Sequence, residues 1–276
     1  MVRGFEAIAE GVRLVALRTP TLLPATATNT LVVGQRRLAV IEPATPFADE
    51  QAALDQLLAG LVGLGAEVAA ILLTHHHRDH TGYAAALRER TGAPIHAHAA
   101  TAERVDFAVD VLLVDGAEVD LGEGFVVSAM HTPGHAPGHL VYTERRTGLA
   151  YAGDMVAGVG TILIDPEDDG DMIAYLASLE RMAAARPRAL VPAHGPVLDD
   201  PQAVLRRYRA HRLMREDRVL AAIHAAPRDL SGVLAEAYAD TPEALWPLAM
   251  RSLEAHLRKL VVEGRVRRLG DSLARA

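Results

Sequence analysis

Thr74-His75-His76-His77-Arg78-Asp79-His80 is the stretch that decides how this chain reads. It follows at once on Val68 to Leu73, a continuous apolar run that reads as a buried strand, so the histidines lie on the loop leaving it. His75, His77, Asp79 and His80 form the pattern H-x-H-x-D-H. Imidazole and carboxylate are good ligands for zinc, and also for iron or manganese. Alternate residues of an extended loop face the same way, so His75 and His77 can share one ion, while Asp79 and His80 turn toward a second. His76 and Arg78 hold the intervening positions and are read as serving loop geometry or surface contact. A solvated polar loop is the bland alternative. Four ligand-type residues in this order, directly after a buried strand, count against it.

Working outward, three later segments repeat the same arrangement. His131-Thr132-Pro133-Gly134-His135-Ala136-Pro137-Gly138-His139 is a turn-rich loop after a strand, able to present His135. Asp154 follows the apolar run Leu149-Ala150-Tyr151, and His194 follows Ala189-Leu190-Val191. A lone His or Asp at a strand end is usually structural, so each is weak alone. The four in order are a strong signal. His139 is read as either a supporting or a structural residue. His96, His98, His131, His211, His224 and His256 are left as structural or surface residues.

The rest of the chain supplies a frame for these loops. Val12 to Leu17, Thr30 to Val33 and Arg37 to Ile41 read as strands, broken afterwards by Pro43 and Pro46. Asp49 to Leu64 carries Leu54, Leu57, Leu58 and Leu61 at helical spacing. Gly82 to Arg90 reads as a helix and Pro94 to Ala97 as a strand, and residues 111 to 151 are β-rich. The pattern predicts a layered α/β protein with much antiparallel sheet. After Pro201 the composition turns helical and Arg-rich, over 202 to 226, 230 to 237 and 246 to 263. Gly264 to Gly270 reads as a short strand or wing. We therefore expect a catalytic domain over residues 1–201 and a helical domain over residues 202–276.

Composition bounds the function. The chain has 276 residues, half of them hydrophobic, enough for a sizeable core built from aliphatic side chains because only 4% are aromatic. It has no cysteine, which excludes disulfides, thiolate ligands and a Cys nucleophile. A formal charge of -7 gives no global drive toward nucleic acid or anionic membranes. The start, Met1-Val2-Arg3-Gly4-Phe5-Glu6, lacks the pattern of a signal peptide, and no apolar run approaches the roughly 18 residues needed to span a bilayer. A cytoplasmic protein with no membrane partner is expected.

The combination of His75, His77, Asp79, His80, His135, Asp154 and His194 resembles the metallo-beta-lactamase superfamily. The resemblance covers roughly residues 12 to 200 and implies an αββα sandwich with metals in a cleft at one edge of its two sheets. It further implies that His75, His77 and His135 bind one divalent ion and Asp79, His80 and His194 a second, with Asp154 bridging them. Zinc is the expected metal, with manganese or iron admitted by the ligand types. Family members often carry Asp where this chain has Glu42-Pro43, usually as a supporting group. A dinuclear centre lowers the pKa of a bridging water, so the expected chemistry is attack by metal-bound hydroxide, with Asp79 orienting or deprotonating it.

The substrate is less constrained. The Gly-Cys-Gly-Arg segment of glyoxalase II is absent. Gly160-Thr161, Gly170-Asp171-Met172, Tyr175 to Leu179, Tyr208, His211-Arg212, Arg215-Glu216 and Thr241-Pro242-Glu243 resemble the beta-lactamase-like protein 2 subgroup. That resemblance implies a winged-helix-like C-terminal domain, suggests a homodimer, and puts single-stranded RNA first, since the animal member is an endoribonuclease. Arg206, Arg207, Arg209, Arg212, Arg215, Arg218, Arg258, Lys259, Arg265, Arg267 and Arg268 are candidate phosphate contacts, or else a salt-bridged helix face. Hydrolysis of a small-molecule thioester, lactam or ester at the same site is the alternative. A metal-binding, nucleic-acid-binding regulator is a third reading, which the complete ligand set disfavours.

Overall fold

The computed structural model describes residues 4–276 except Ala225, Pro227 and Asp271. The Met1-Val2-Arg3 start, and Ala225 within the helical reading of 202–226, lie outside the described residues. Seven strands form the first sheet side by side in chain order: β1 (Glu6–Ala9), β2 (Val12–Arg18), β3 (Ala27–Val33), β4 (Arg37–Ile41), β5 (Glu67–Leu72), β6 (Ile95–His98) and β7 (Val111–Leu113). Pairing is antiparallel from β1 to β4 and parallel from β4 to β7. The change follows the connections. Short turns join β1 to β2 and β3 to β4 and a longer loop, residues 19–26, joins β2 to β3, whereas helices α1 (Ala48–Val62), α2 (Arg78–Thr81), α3 (Ala84–Thr91) and α4 (Ala99–Ala102) make the crossovers that parallel strands need.

The second sheet holds β8 (Glu118–Asp120), β9 (Val126–His131), β10 (Leu140–Glu144), β11 (Leu149–Gly153) and β12 (Ala189–Pro192), in the order β12-β11-β10-β9-β8. Only β11–β12 is parallel, spanned by helix α5 (Met172–Ala185). Asp171 caps that helix through the amides of Ile173 and Ala174.

Alternation along each strand sorts side chains into layers. Leu38 and Val40 of β4 pack with Leu54 and Leu58 of α1, outside the first sheet. Ala39 and Ile41 point the other way and meet Leu140, Tyr142, Tyr151 and Val191 between the sheets. Val141 of β10 turns outward to Tyr175, Leu179 and Met182 of α5. The layers are thus helix, sheet, sheet, helix, as the resemblance implies.

Helix α6 (Pro201–Ala222) starts at the Asp200 cap, with Pro201 in its first turn. Its first half buries Val204 and Leu205 against the second sheet's outer layer. Its second half gives Val219 and Ala222 to a separate core with α7 (Leu230–Ala237) and α8 (Trp246–Val262). A small sheet of β13 (Arg228–Asp229), β15 (Ser272–Arg275) and β14 (Val266–Leu269) completes this winged-helix unit. Arg251 of α8 pairs with Asp165 at 2.5 Å, tying the unit to the loop ahead of α5. Among the described residues no helix is long and apolar enough to cross a membrane.

Candidate metal centre

The singled-out residues all follow the C-terminal ends of strands. Thr74 to His77 leaves β5, the His135 loop leaves β9, Asp154 follows β11, and His194 follows β12. Because β5, β9, β11 and β12 end at the same edge of the sandwich, residues far apart in sequence converge there. In one respect the local geometry differs from an extended loop throughout. His77 is extended (φ -62, ψ 146), but a helical turn begins at Arg78, so Asp79 and His80 sit on α2. That turn directs them toward His194, although the His80 ring stays beside that of His75, with ring centres 4.1 Å apart.

Two groups result. His75 Nε2 lies 2.8 Å from His77 Nδ1 and 3.3 Å from His135 Nε2, and His135 Nε2 lies 3.1 Å from His77 Nδ1. In the second, ligand atoms of Asp79, His80 and His194 lie within 4.8 Å of one another. Asp154 stands between the groups. Its Oδ2 is 3.5 Å from His135 Nε2 and 3.6 Å from His80 Nε2, and its Oδ1 is 3.4 Å from His194 Nε2. All the sequence-predicted residues are therefore brought together.

The outward-facing nitrogens explain why these rings suit cations. His75 Nδ1 meets Thr74 Oγ1 at 2.9 Å, and that hydroxyl donates onward to Glu42 Oε1. His77 Nε2 meets Asp168 Oδ2 at 2.5 Å, and His80 Nδ1 meets Glu42 Oε2. His135 Nδ1 donates to the Leu163 carbonyl at 2.8 Å and His194 Nδ1 to that of Ala27 at 3.0 Å. An acceptor on the outer nitrogen fixes the proton there and turns a lone pair inward. Lone pairs facing each other near 3 Å repel unless a cation lies between. His80 Nε2 and Asp154 Oδ1 are buried without a hydrogen-bond partner among the described residues. Two divalent cations fit this donor set.

Electrostatics point the same way. Burial, then the neighbouring imidazoles His80, His77 and His135, hold His75 well below the ordinary histidine range. Burial and His77 lower His135 to about 4. Both rings are neutral donors at neutral pH. Burial would lower His80 too, but Glu42, Asp154 and Asp79 raise it well above that range. This concentration of negative charge is what a dication would neutralise.

Sequence reasoning misses Asp168 but points to Glu42 and His139 as supporting candidates. Asp168, on the loop before α5, accepts from His77 and also lies 3.3 Å from His76 Nε2. Glu42 accepts from the Thr74 amide at 2.7 Å and from its hydroxyl at 2.8 Å, besides holding His80. The replacement of the family's Asp by Glu thus keeps the supporting role, with Glu42 at φ 56. His139 is a supporting residue: its Nε2 accepts from the Asp154 amide at 3.1 Å. Gly153 permits this approach, because a Cβ there would come within 2.5 Å of His139 Nε2.

Comparison with known proteins agrees with this geometry. Residues 23–194 match the family model for the metallo-beta-lactamase superfamily, and residues 233–275 that for a beta-lactamase associated winged helix domain. A beta-lactamase-like protein 2 homolog of Drosophila melanogaster is 31% identical over 73% of this chain and 71% of its own length. An atrochrysone carboxyl ACP thioesterase of Pseudocercospora fijiensis is 29% identical over 87% of this chain and 71% of its own. The crystal structure of a metallo-beta-lactamase family protein from Thermus thermophilus superposes with a TM-score of 0.80 at 24% identity, covering 98% of this chain and 100% of that one.

Proposed function

The chain belongs to the metallo-beta-lactamase superfamily and is a hydrolase of that kind, and from this premise we propose that it cleaves acyl substrates, thioesters or esters, bearing an apolar chain. His75, His77 and His135 would hold one divalent cation, zinc first among the candidates, and Asp79, His80 and His194 the other, with Asp154 between. Cations so held supply Lewis acidity, lowering the pKa of a water and offsetting negative charge on substrate oxygen. Asp79 lines the cleft, with Oδ1 and Oδ2 each 3.8 Å from an imidazole nitrogen of His80 and His194. It orients the attacking water and accepts its proton at a carboxylate oxygen.

The observation that carries the substrate class is an apolar groove opening from the cleft. Leu22, Gly160, Thr161 and Leu163 line both spaces, and the groove continues along Leu23, Pro24, Ile162, Leu245, Leu248 and Ala249. Leu22, Leu23 and Leu245 are exposed there, Leu23 to 82%. Exposed apolar side chains gathered at a cleft mouth mark a binding surface. It runs between the catalytic layers and the winged helix, which acts as a wall for the acyl chain.

The arginines considered for RNA contact are mostly engaged elsewhere. Arg209 pairs with Glu180, Arg215 and Arg218 with Asp240, Arg258 and Arg268 with Glu254, and Lys259 and Arg265 with Glu216. A polyanion needs a track of free cations, and an aromatic content of 4% offers few stacking platforms. The acyl reading is therefore preferred to the endoribonuclease one. The test is assay of zinc- or manganese-loaded protein on acyl thioesters of rising chain length, on nitrocefin and on single-stranded RNA. We expect thioester cleavage with kcat/KM rising with chain length. RNA cleaved while every thioester stays intact would overturn the reading.

A further inference from the structure

Beside the metal cleft lies a second space of about 290 Å³ that the chemistry above does not use. We infer that this pocket binds one anionic group of the substrate, a carboxylate or a phosphate, through Arg207, His211 and Arg212. The assignment extends the acyl reading for the scissile bond, while the pocket itself stands on its own geometry.

Arg212 carries the argument. It is 5% exposed, yet it forms no ion pair among the described residues. Its partners are neutral: a guanidinium nitrogen donates to the Ile162 carbonyl, and the group lies 5.3 Å from the centre of the Tyr175 ring. Its Nε is buried without a hydrogen-bond partner among the described residues. Other buried cations in the same domain are neutralised: Arg215 by Asp240 at 2.8 Å and Lys259 by Glu216 at 2.8 Å. A buried charge without a counter-ion is strongly unfavourable, and a guanidinium is shaped to accept a carboxylate or phosphate. Arg207, on an earlier turn of α6, is exposed and forms no ion pair or hydrogen bond among the described residues. Among the described residues no carboxylate lines the pocket, whose other residues are Ala157, Gly158, Gly160, Thr161 and Tyr208.

The position relative to the metals is fixed. Gly160 and Thr161 form one wall of the cleft and one wall of this pocket. The Gly158 amide donates to the His194 carbonyl at 2.7 Å, and the Tyr208 hydroxyl is held between the Ala157 amide at 2.7 Å and its carbonyl at 3.0 Å. Arg212 also lines the apolar groove, so pocket and groove meet at one guanidinium. A ligand with its carbonyl in the cleft thus has one branch for an apolar chain and one for a single anion. An isolated anion pocket, in a domain whose other arginines are mostly paired, suits one charged group and not a polyanion.

The experiment compares matched thioesters that differ only in ending in a carboxylate, a phosphate or a methyl group. The wild type and Arg207→Gln are assayed, with Arg206→Gln as the neighbouring surface control. Arg207→Gln should raise the KM ratio of the preferred anionic thioester to its uncharged counterpart at least tenfold, and Arg206→Gln should not. The carboxylate and phosphate arms identify the anion. An unchanged ratio in Arg207→Gln overturns the inference. If the wild type cleaves no thioester, the acyl reading has failed, and the pocket is judged by calorimetric titration of metal-loaded protein with inorganic phosphate and acetate. Binding weakened at least tenfold by Arg207→Gln, with metal content unchanged, supports the pocket; absent binding, or binding equal in the two proteins, overturns it.

Discussion

Asp168 and Glu42 do at the outer nitrogens of His77 and His80 what the cations need done at the inner ones. They fix each ring's tautomer and orientation. Asp168→Asn and Glu42→Gln should each weaken metal affinity about 10–100-fold, as read by competition with a chromogenic chelator, while circular dichroism stays native. An affinity unchanged in both would mean that the rings are held by packing alone. These partners show what a sequence can reveal at this scale. H-x-H-x-D-H is visible because its ligands are adjacent and their chemistry is conspicuous. Asp168 is not, since it is 91 residues from His77 and sits in an acidic loop, Glu167-Asp168-Asp169, that resembles any solvated turn. The helical turn at Arg78–Thr81 was equally hidden, because four residues carry no periodicity.

Among the elements, α6 and α8 are joined by a buried charge network rather than by apolar packing alone. Glu216 accepts from Lys259 Nζ at 2.9 Å and from Arg265 Nη1 at 3.0 Å, with His256 close by. Removing one member of such a group strands the others, so Glu216→Ala should cost about 3–5 kcal/mol in denaturant unfolding of the winged-helix unit. Burial by itself would raise the Glu216 carboxyl, but His256 and Lys259 outweigh it and hold it down at about 2, against 4.5 for the free group. Its folded pKa is depressed, so the network's contribution is fully present above about pH 4.5 and is lost as pH falls from there toward about 2. Unfolding midpoints of wild type and Glu216→Gln should therefore differ most above pH 4.5 and converge on acidification; a gap that widens below pH 4.5 would contradict the assignment. Sequence periodicity located α7 and α8 closely, as with Leu230 to Ala237, because each has one apolar face, but not the end of α6, which has none and stops at Ala222 rather than at 226. It could not tell paired arginines from free ones, since their acids come from other helices.

For the whole molecule, the metal cleft, the apolar groove and the winged helix form one continuous surface. Leu245→Asp, at the groove's exposed rim, should raise KM for a long-chain thioester about tenfold, equivalent to about 1.4 kcal/mol, and change kcat and the short-chain KM little. A uniform loss across chain lengths would place the acyl chain elsewhere. The layered architecture was legible because the strand and helix periods alternate along the chain, and so was the cleft, because its loops all leave apolar runs. The groove was not, for it is made by Leu22 and Leu23 meeting Leu245 and Leu248 across the chain. The account rests on a centre built by His75, His77, His135, Asp79, His80 and His194 around Asp154. Native mass spectrometry of zinc-reconstituted protein tests this most directly. Two ions per chain in the wild type, falling to one or none in Asp154→Ala, is the predicted result. A wild type that takes up one ion at most, or an Asp154→Ala protein that keeps both, would contradict it.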